Sequence, residues 1–349
     1  MFVLSAKFRE DSVALEVHLQ NLQDLRGWLP VDAVVVDERP GLWWMDMSGM
    51  SLAEPFFAQT VDRARAENHR GELFTEFDVL LQLEKLFDSV PPTGFIFHSS
   101  RCGSTLLANA CRAITGAVVL SEANALDKLV ARFITDAPEG SVKESLYSVF
   151  LRGTMHALGQ RRLGNERHLF VKFAACSFSQ IDRIRRIWPR VPWVFLYRDP
   201  IETVVSNLAD VPSWLLDPDR RILASIIGVA PDDVSEMKLE EVCARTIGSL
   251  YSLAERVAND NCLLLNYNQF SLPLISSMLR FFNVNPTTEE MKTIERVSGL
   301  YSKEVSARRP FVADAELKQR TASGLIREMA EKWASRPYHQ LEQKRLEQL

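Results

Sequence analysis

Five short, mostly apolar runs recur along the chain: "GFIFHS" at 94–99, "GAVVLSE" at 116–122, "HLFVKFA" at 168–174, "WVFLYR" at 193–198 and "CLLLNY" at 262–267. Strands that are apolar nearly throughout are buried on both faces. Helical patterns separate them. One starts at Ser104. Others run over "NALDKLVARF", "SLYSVFLRGTMHALGQ", "FSQIDRIRRIW", "PIETVVSNLA" and "LEEVCARTIGSLYSLAERVA", and over "FSLPLISSMLRFF" after the last strand. Strands alternating with helices predict a parallel sheet covered on both sides, a three-layer α/β/α fold. Ligands of such sheets bind beyond the carboxyl ends of the strands. Polar residues there are therefore the first candidates for function.

The segment before this alternation reads differently. "SVALEVHL" and "AVVVDE" suit strands, and "GLWWMDM" alternates weakly. "AEPFFAQTVDRARAEN" is an amphipathic helix with Pro55 in its first turn, and "FDVLLQLEKLF" is a second helix. "SVPPTG" breaks the chain at Pro91 and Pro92. The expected domains are an N-terminal α/β subdomain over 1–90 and a main domain over 91–349 that ends in a charged helical extension. Trp43, Trp44, Phe56 and Phe57 read as the small core of the first, with an acceptor cleft or a dimer contact as alternatives. A homodimer stays open.

Composition narrows the partners. The 349 residues carry 41 Lys and Arg against 45 Asp and Glu, a formal charge of −4. That argues against broad nucleic-acid binding, which needs a basic surface. The five cysteines, Cys102, Cys111, Cys176, Cys243 and Cys262, are scattered without a C-x-x-C pair, which argues against zinc and dithiol chemistry. No apolar run reaches the roughly 18 residues of a membrane span. The N-terminus lacks the basic start of a signal peptide. The expected location is cytoplasmic.

The most informative turn lies in "FIFHSSRCGSTLLANAC", Phe95 to Cys111. A strand entering a helix through a tight turn aims backbone N–H groups at one point, and the helix N-terminus adds partial positive charge. Gly103 permits close backbone approach. Ser104 and Thr105 add hydroxyls. Arg101 adds a fork suited to phosphate or sulfate. The ATP-binding pattern G-x-x-x-x-G-K-[ST] is absent: His98 stands at its first glycine, and no Gly-Lys pair follows.

"SSRCGSTLL" resembles the 5′-phosphosulfate loop of sulfotransferases that use 3′-phosphoadenosine 5′-phosphosulfate, which reads roughly P-[KR]-S-G-T-T-[LW]. Arg101, Gly103, Ser104 and Thr105 match, with Cys102 and Ser104 as small-residue departures. "VFLYRDPIETVVSNL" resembles the family's 3′-phosphate motif, in which Arg198 and, eight residues later, Ser206 hold the phosphate. "CLLLNYNQF" resembles a third motif, from which only the adenine-contacting Tyr267 carries over. Of the late basic segment "YSKEVSARRPFVADAELKQR", Lys318 is the choice to close over the nucleotide, with Ser302 behind it. Arg308, Arg309 and Arg320 read individually as surface charges. The resemblance covers roughly residues 92–320.

The resemblance implies a P-loop nucleoside triphosphate hydrolase-like fold and transfer of a sulfuryl group to a hydroxyl or amine of a small molecule or peptide. It implies no metal, and adenosine 3′,5′-bisphosphate as product. It gives Arg101 the charge developing on the leaving phosphate. Where the cytosolic branch has a histidine base, this chain has Ala174. Glu122, 21 positions after Arg101, matches the glutamate base of other members. Lys172 matches a lysine that neutralises the transferring group. His98 and His168 are fallback bases. Cys102 reads as a small loop residue, because phosphatase loops place their cysteine well before the arginine. The alternatives are a P-loop small-molecule kinase, with Asp199 imitating a magnesium ligand, and a non-catalytic nucleotide-binding adaptor.

Overall fold

A computed structural model describes residues 25–67, 70–83, 87–299 and 314–348. In chain order the elements are β1 (Trp28–Val36), β2 (Arg39–Asp46), α1 (Phe57–Ala66), β3 (Glu72–Glu76), β4 (Pro92–His98), α2 (Ser104–Arg112), β5 (Ala117–Ser121), α3 (Asn124–Thr135) and α4 (Val142–Leu158). Then come β6 (His168–Lys172), α5 (Ile181–Ile187), β7 (Trp193–Tyr197), α6 (Pro200–Ala209), α7 (Ser213–Leu216), α8 (Arg221–Ile227), α9 (Pro231–Glu236) and α10 (Leu239–Val257). The last are β8 (Cys262–Asn266), α11 (Leu272–Phe281), α12 (Thr288–Ser298), α13 (Ala315–Thr321), α14 (Gly324–Ala330) and α15 (Arg336–Leu346).

Each of the five apolar runs is a strand. Together they make a five-stranded parallel sheet of order β5-β6-β4-β7-β8, flanked by helices. The expected α/β class is observed. The chain divides into two compact units: residues up to Thr93 with Ile114–Val171, and Gly94–Ala113 with Lys172 onward.

In the first unit, β1, β2 and β3 form an antiparallel meander with Trp28 opposite Asp46 and Trp43 opposite Phe74. Trp44 is fully buried and its indole N–H donates to Thr75 Oγ1 at 2.8 Å. Trp43 and Phe57 are also buried, while Phe56 is half-buried at the start of α1. The first three are core, and Trp43 and Trp44, consecutive in β2, face opposite sides of the sheet, both of them covered. Three local expectations need correction. The sequence pattern does not reveal β3. Pro55 precedes α1 instead of lying in its first turn. The helix expected over "FDVLLQLEKLF" opens as a 3₁₀ turn at Phe77–Leu81, and its positions 84–86 lie outside the described residues. Here the backbone of Leu80 lies directly against Gly153 of α4, where a Cβ would meet the Leu80 carbonyl at 2.9 Å. The strand expected over 12–19 lies outside the described residues.

In the second unit, β4, β7 and β8 run parallel, with Phe97 level with Phe195 and Phe195 level with Leu264. All five residues of β7 are buried. Aromatic rings fill the layer beside them: Phe97 stacks on Phe173 at 5.0 Å, and Phe178 lies 4.4 Å from Phe195 between centroids. The helix expected from Phe178 enters through a 3₁₀ turn, Ala175–Gln180, before α5. Gly248 of α10 lets the backbone of Trp333 approach directly. Trp333 lies in a π-helical turn, Glu331–Ser335, that joins α14 to α15. Beyond α15, Gln348 pairs with the edge strand β8. Its Oε1 accepts from Leu264 N at 3.0 Å and its Nε2 donates to the Cys262 carbonyl at 2.9 Å. Among the described residues no helix is long and apolar enough to cross a membrane.

Candidate functional site

The turn from β4 to α2 is built from unusual backbone. Ser100, Arg101 and Gly103 have φ of +73°, +49° and +85°. Non-glycine residues in the left-handed region cost energy and persist where surrounding structure enforces them. Several contacts enforce this turn. Ser99 N donates to the Leu196 carbonyl at 3.1 Å, Ser100 N to His98 Nδ1 at 3.0 Å, and Ser100 Oγ to Asn207 Oδ1 at 2.7 Å. Gly103 is the N-cap of α2 and offers no capping side chain. The N–H groups of Ser104 and Thr105 precede the first acceptor of α2, as at any helix start, while Leu106 N donates to the Gly103 carbonyl at 3.0 Å. Ser104 and Thr105 are buried at this turn.

Arg101 turns toward the end of α6, where its guanidinium bonds the carbonyl and the carboxylate of Asp210. His98 is buried with Nδ1 engaged by the loop, which makes it a support of the turn. Cys102 is fully buried and its Sγ lies 3.1 Å from the Leu196 carbonyl. Burial pushes its thiol up to about 11, against the lowering effect of hydrogen bonds from Ser99 and of the Lys172 charge. It is a neutral thiol at physiological pH. Lys172, at the end of β6, is 1% exposed.

The neighbouring turn, from β7 to α6, is built from side chains. Arg198 is buried. Its Nε donates to Glu202 Oε2 at 2.6 Å and its Nη2 to Asp314 Oδ1 at 2.8 Å. Its carbonyl accepts from Tyr251 Oη at 2.6 Å. Its guanidinium carbon sits 4.3 Å from the centre of the Tyr267 ring, a cation–π contact. Asp199 does not pair with Arg198. It caps α6 by accepting from Glu202 N at 3.1 Å, with Pro200 as the first helical residue. Burial raises the Asp199 carboxyl above its ordinary range. Ser206 lies two turns along α6, half-buried.

Tyr267 joins the two turns. A Cβ placed on Gly103 would lie 2.8 Å from the Tyr267 ring. One aromatic ring therefore touches the Gly103 backbone and the Arg198 guanidinium. Beside it opens an apolar cavity of about 490 Å³, walled by Leu106, Phe270, Leu272, Ile275 and, from α13, Ala315. The buried Ser298 hydroxyl, on another wall of that cavity, has no hydrogen-bond partner among the described residues.

Lys318 comes to the same place. Its Nζ lies 2.7 Å from Asp314 Oδ2, so Asp314 is shared by Lys318 and Arg198. Burial pulls the Lys318 ammonium below its ordinary value, although Asp314 opposes this. Burial pushes the Asp314 carboxyl up, but its hydrogen bonds from Lys318 and Arg198 prevail and hold it below the usual range. Ser302, Arg308 and Arg309 lie outside the described residues, and Arg320 is exposed.

The second unit thus brings Gly103, Tyr267, Arg198 and Lys318 together. Glu122 belongs to the first unit, directly after β5, with a φ of +54°. His168 opens β6 in that unit, its ring 6.0 Å from that of Phe170. Asn207, Asp210, Tyr251 and Asp314 are supports that the motifs do not reveal. Glu202 has a sequence signal, a carboxylate one helical turn after the arginine.

No family model matches the chain, and no curated protein matches it. Among solved structures it is similar to a sulfotransferase from Alicyclobacillus acidocaldarius, at 13% identity over 73% of this chain and 96% of that one, with a TM-score of 0.41. It is similar to sulfotransferase STF9 from Mycobacterium avium, at 9% identity over 80% and 83%, with a TM-score of 0.40. It is also similar to mouse sulfotransferase SULT7A1 complexed with PAP, at 15% identity over 78% and 92%, with a TM-score of 0.32. Likeness at this level carries no weight for activity, which is judged below from the chain's own residues.

Proposed function

We propose that this chain is a sulfotransferase. It moves a sulfuryl group from 3′-phosphoadenosine 5′-phosphosulfate to a hydroxyl or amine acceptor on a small molecule or peptide. The observation that carries the reading is the pairing of two strand-to-helix turns through Tyr267. One turn presents backbone N–H groups, and the other presents a buried arginine. A nucleotide with phosphate at both ends of its ribose needs two anion sites flanking a flat surface. The apolar cavity beside Tyr267 suits the purine, and the orphaned Ser298 hydroxyl gives that base a polar partner.

In this reading the Gly103, Ser104 and Thr105 amides and the two hydroxyls hold the 5′-phosphate, with Cys102 filling the turn. Arg101 leaves Asp210 and faces the bridging oxygen as charge develops there. Arg198, Ser206 and Lys318 hold the 3′-phosphate, and Tyr267 stacks against the base. Bound there, the donor supplies the sulfuryl group: the acceptor's bond to sulfur forms as the bond from sulfur to the 5′-phosphate oxygen breaks. The Glu122 carboxylate takes the acceptor's proton, and Lys172 offsets the negative charge of the transferring group. The left-handed backbone at Glu122 supports its role, because strain of this kind gathers at functional residues. In this reading residues 1–90 form a subdomain of their own. A cytoplasmic location fits the five free thiols.

The test is calorimetric titration with adenosine 3′,5′-bisphosphate, with 5′-AMP and ATP·Mg as controls. Selective binding of the bisphosphate, lost in Arg198→Ala, supports the reading. Preference for ATP·Mg would transfer it to a kinase. Glu122→Gln then separates enzyme from adaptor, because nucleotide binding persists while turnover with labelled donor is lost.

A further inference from the structure

The short helix α13 has no buried residue. Polar contacts to other described residues hold it. Gln319 Nε2 donates to Asp199 Oδ1 at 2.9 Å, and Arg327 bonds the Gln319 carbonyl. The principal tie is Asp314, the N-cap of α13. Aspartate at an N-cap ordinarily accepts from its own helix's first-turn N–H groups. Asp314 does not. Its carboxylate lies between Arg198 Nη2 at 2.8 Å and Lys318 Nζ at 2.7 Å.

A carboxylate receiving charge-assisted hydrogen bonds from two cations is a chemical stand-in for a phosphate. It sits on the arginine to which the proposed function assigns the 3′-phosphate. Arg198 already gives its Nε to Glu202, which is buried. A dianion cannot join Glu202 and Asp314 around one guanidinium without strong repulsion. Glu202 is fixed one turn along α6. Asp314 stands at the start of a polar helix, and its carboxylate can turn away.

We propose that Asp314 is an internal occupant of the anion position. A 3′-phosphorylated nucleotide displaces its carboxylate, which loosens the start of α13 while Lys318, one turn on, stays to hold the phosphate, and a 3′-hydroxyl drives no such exchange, so Asp314 lowers the affinity for the bisphosphate alone. The inference rests on the nucleotide reading above. The incoming phosphate brings two negative charges where one leaves, and it takes over both cations that Asp314 held. A 3′-hydroxyl offers no charge to compete, so it binds with Asp314 still in place.

The experiment titrates the full chain and its Asp314→Asn variant with adenosine 3′,5′-bisphosphate and with 5′-AMP. Amide hydrogen exchange of 315–321 is followed in parallel. Asp314→Asn is expected to bind the bisphosphate about tenfold tighter, a gain of about 1.4 kcal/mol, and 5′-AMP unchanged. In the parent, the bisphosphate accelerates exchange of 315–321 and 5′-AMP does not. In Asp314→Asn that exchange is fast without ligand. Asp314→Ala, which removes the amide's own hydrogen bonds, must shift in the same direction. Equal or weaker bisphosphate binding by both variants, with binding by the parent intact, overturns the displacement and leaves the nucleotide reading standing. Absence of bisphosphate binding by the parent and both variants overturns both.

Discussion

Two turns at the ends of the adjacent parallel strands β4 and β7 each lead into a helix, and each carries an arginine. The first is made of backbone: three residues with left-handed φ, a glycine cap, and an arginine tied to an aspartate whose side chain is 77% exposed. The second is made of side chains: a buried arginine surrounded by Glu202, Asp314, Tyr251 and Tyr267. A backbone site is fixed by covalent geometry and is ready before its ligand arrives. A side-chain site must be kept charge-balanced while empty, so it recruits carboxylates that a ligand later competes with.

Removing each arginine gives the largest contrast. Arg198→Ala leaves Glu202 buried without its cation, and loss of one partner of a buried pair costs about 3–5 kcal/mol. Arg101→Ala loses contacts to the carbonyl and the exposed carboxylate of Asp210, the ion pair being worth less than about 1 kcal/mol. Urea unfolding of both variants should separate them by that margin, and similar stabilities would break the distinction. Replacing Arg198 and Glu202 together by Met and Leu should restore stability without restoring bisphosphate binding.

Next in size is Gly103→Ala. A left-handed φ costs an L-residue about 1–2 kcal/mol. The new methyl also meets the Tyr267 ring. The variant should lose that stability and its nucleotide affinity, and Tyr267→Ala in the same chain should recover only the steric part.

Thiol labelling probes the backbone turn without changing it. With its thiol raised to about 11 and fully buried, Cys102 should stay unmodified at pH 8 in the folded protein. Cys176, which alone of the five cysteines is not buried, should react first. Mapping the label by mass spectrometry decides this, and early labelling of Cys102 would mean that the turn opens readily.

The smallest effect belongs to Asp314. Its folded carboxyl is held below the ordinary range, so the ionised form stabilises the fold. That contribution is complete above the unfolded value of about 4 and is lost as pH falls through the lower folded value. The stability gap between the parent and Asp314→Asn should be under about 1 kcal/mol near neutrality and should close as pH drops below about 4. A gap that widens in acid would reverse the assignment.

The contrast also explains what a reader of the sequence can recover. Gly103, the small residues beside it and the apolar strand before them are contiguous, so the first turn is legible as a string. Arg198, Pro200 and α6 are legible for the same reason. The partners of Arg198 are not, because Tyr251 and Asp314 lie 53 and 116 positions away and meet it only through tertiary packing. Asn207 and Asp210 look like ordinary helix-end polar residues until the loop is seen to rest on them. In the first unit, β3 escapes notice because Leu73, Phe74 and Thr75 are consecutive buried residues without alternation. The helices α7, α8 and α9 escape because each is at most two turns long.

Gln348 has a consequence for handling the protein. Strand β8 ends the sheet, and an open sheet edge is a template for pairing with another molecule. The Gln348 amide covers part of that edge by supplying one acceptor and one donor, as a further strand would. Purification tags fused beside this residue, or its replacement by a side chain that cannot mimic a peptide group, would uncover those groups. The preparation would then be prone to self-association through an otherwise intact fold, and light scattering at rising concentration would reveal it.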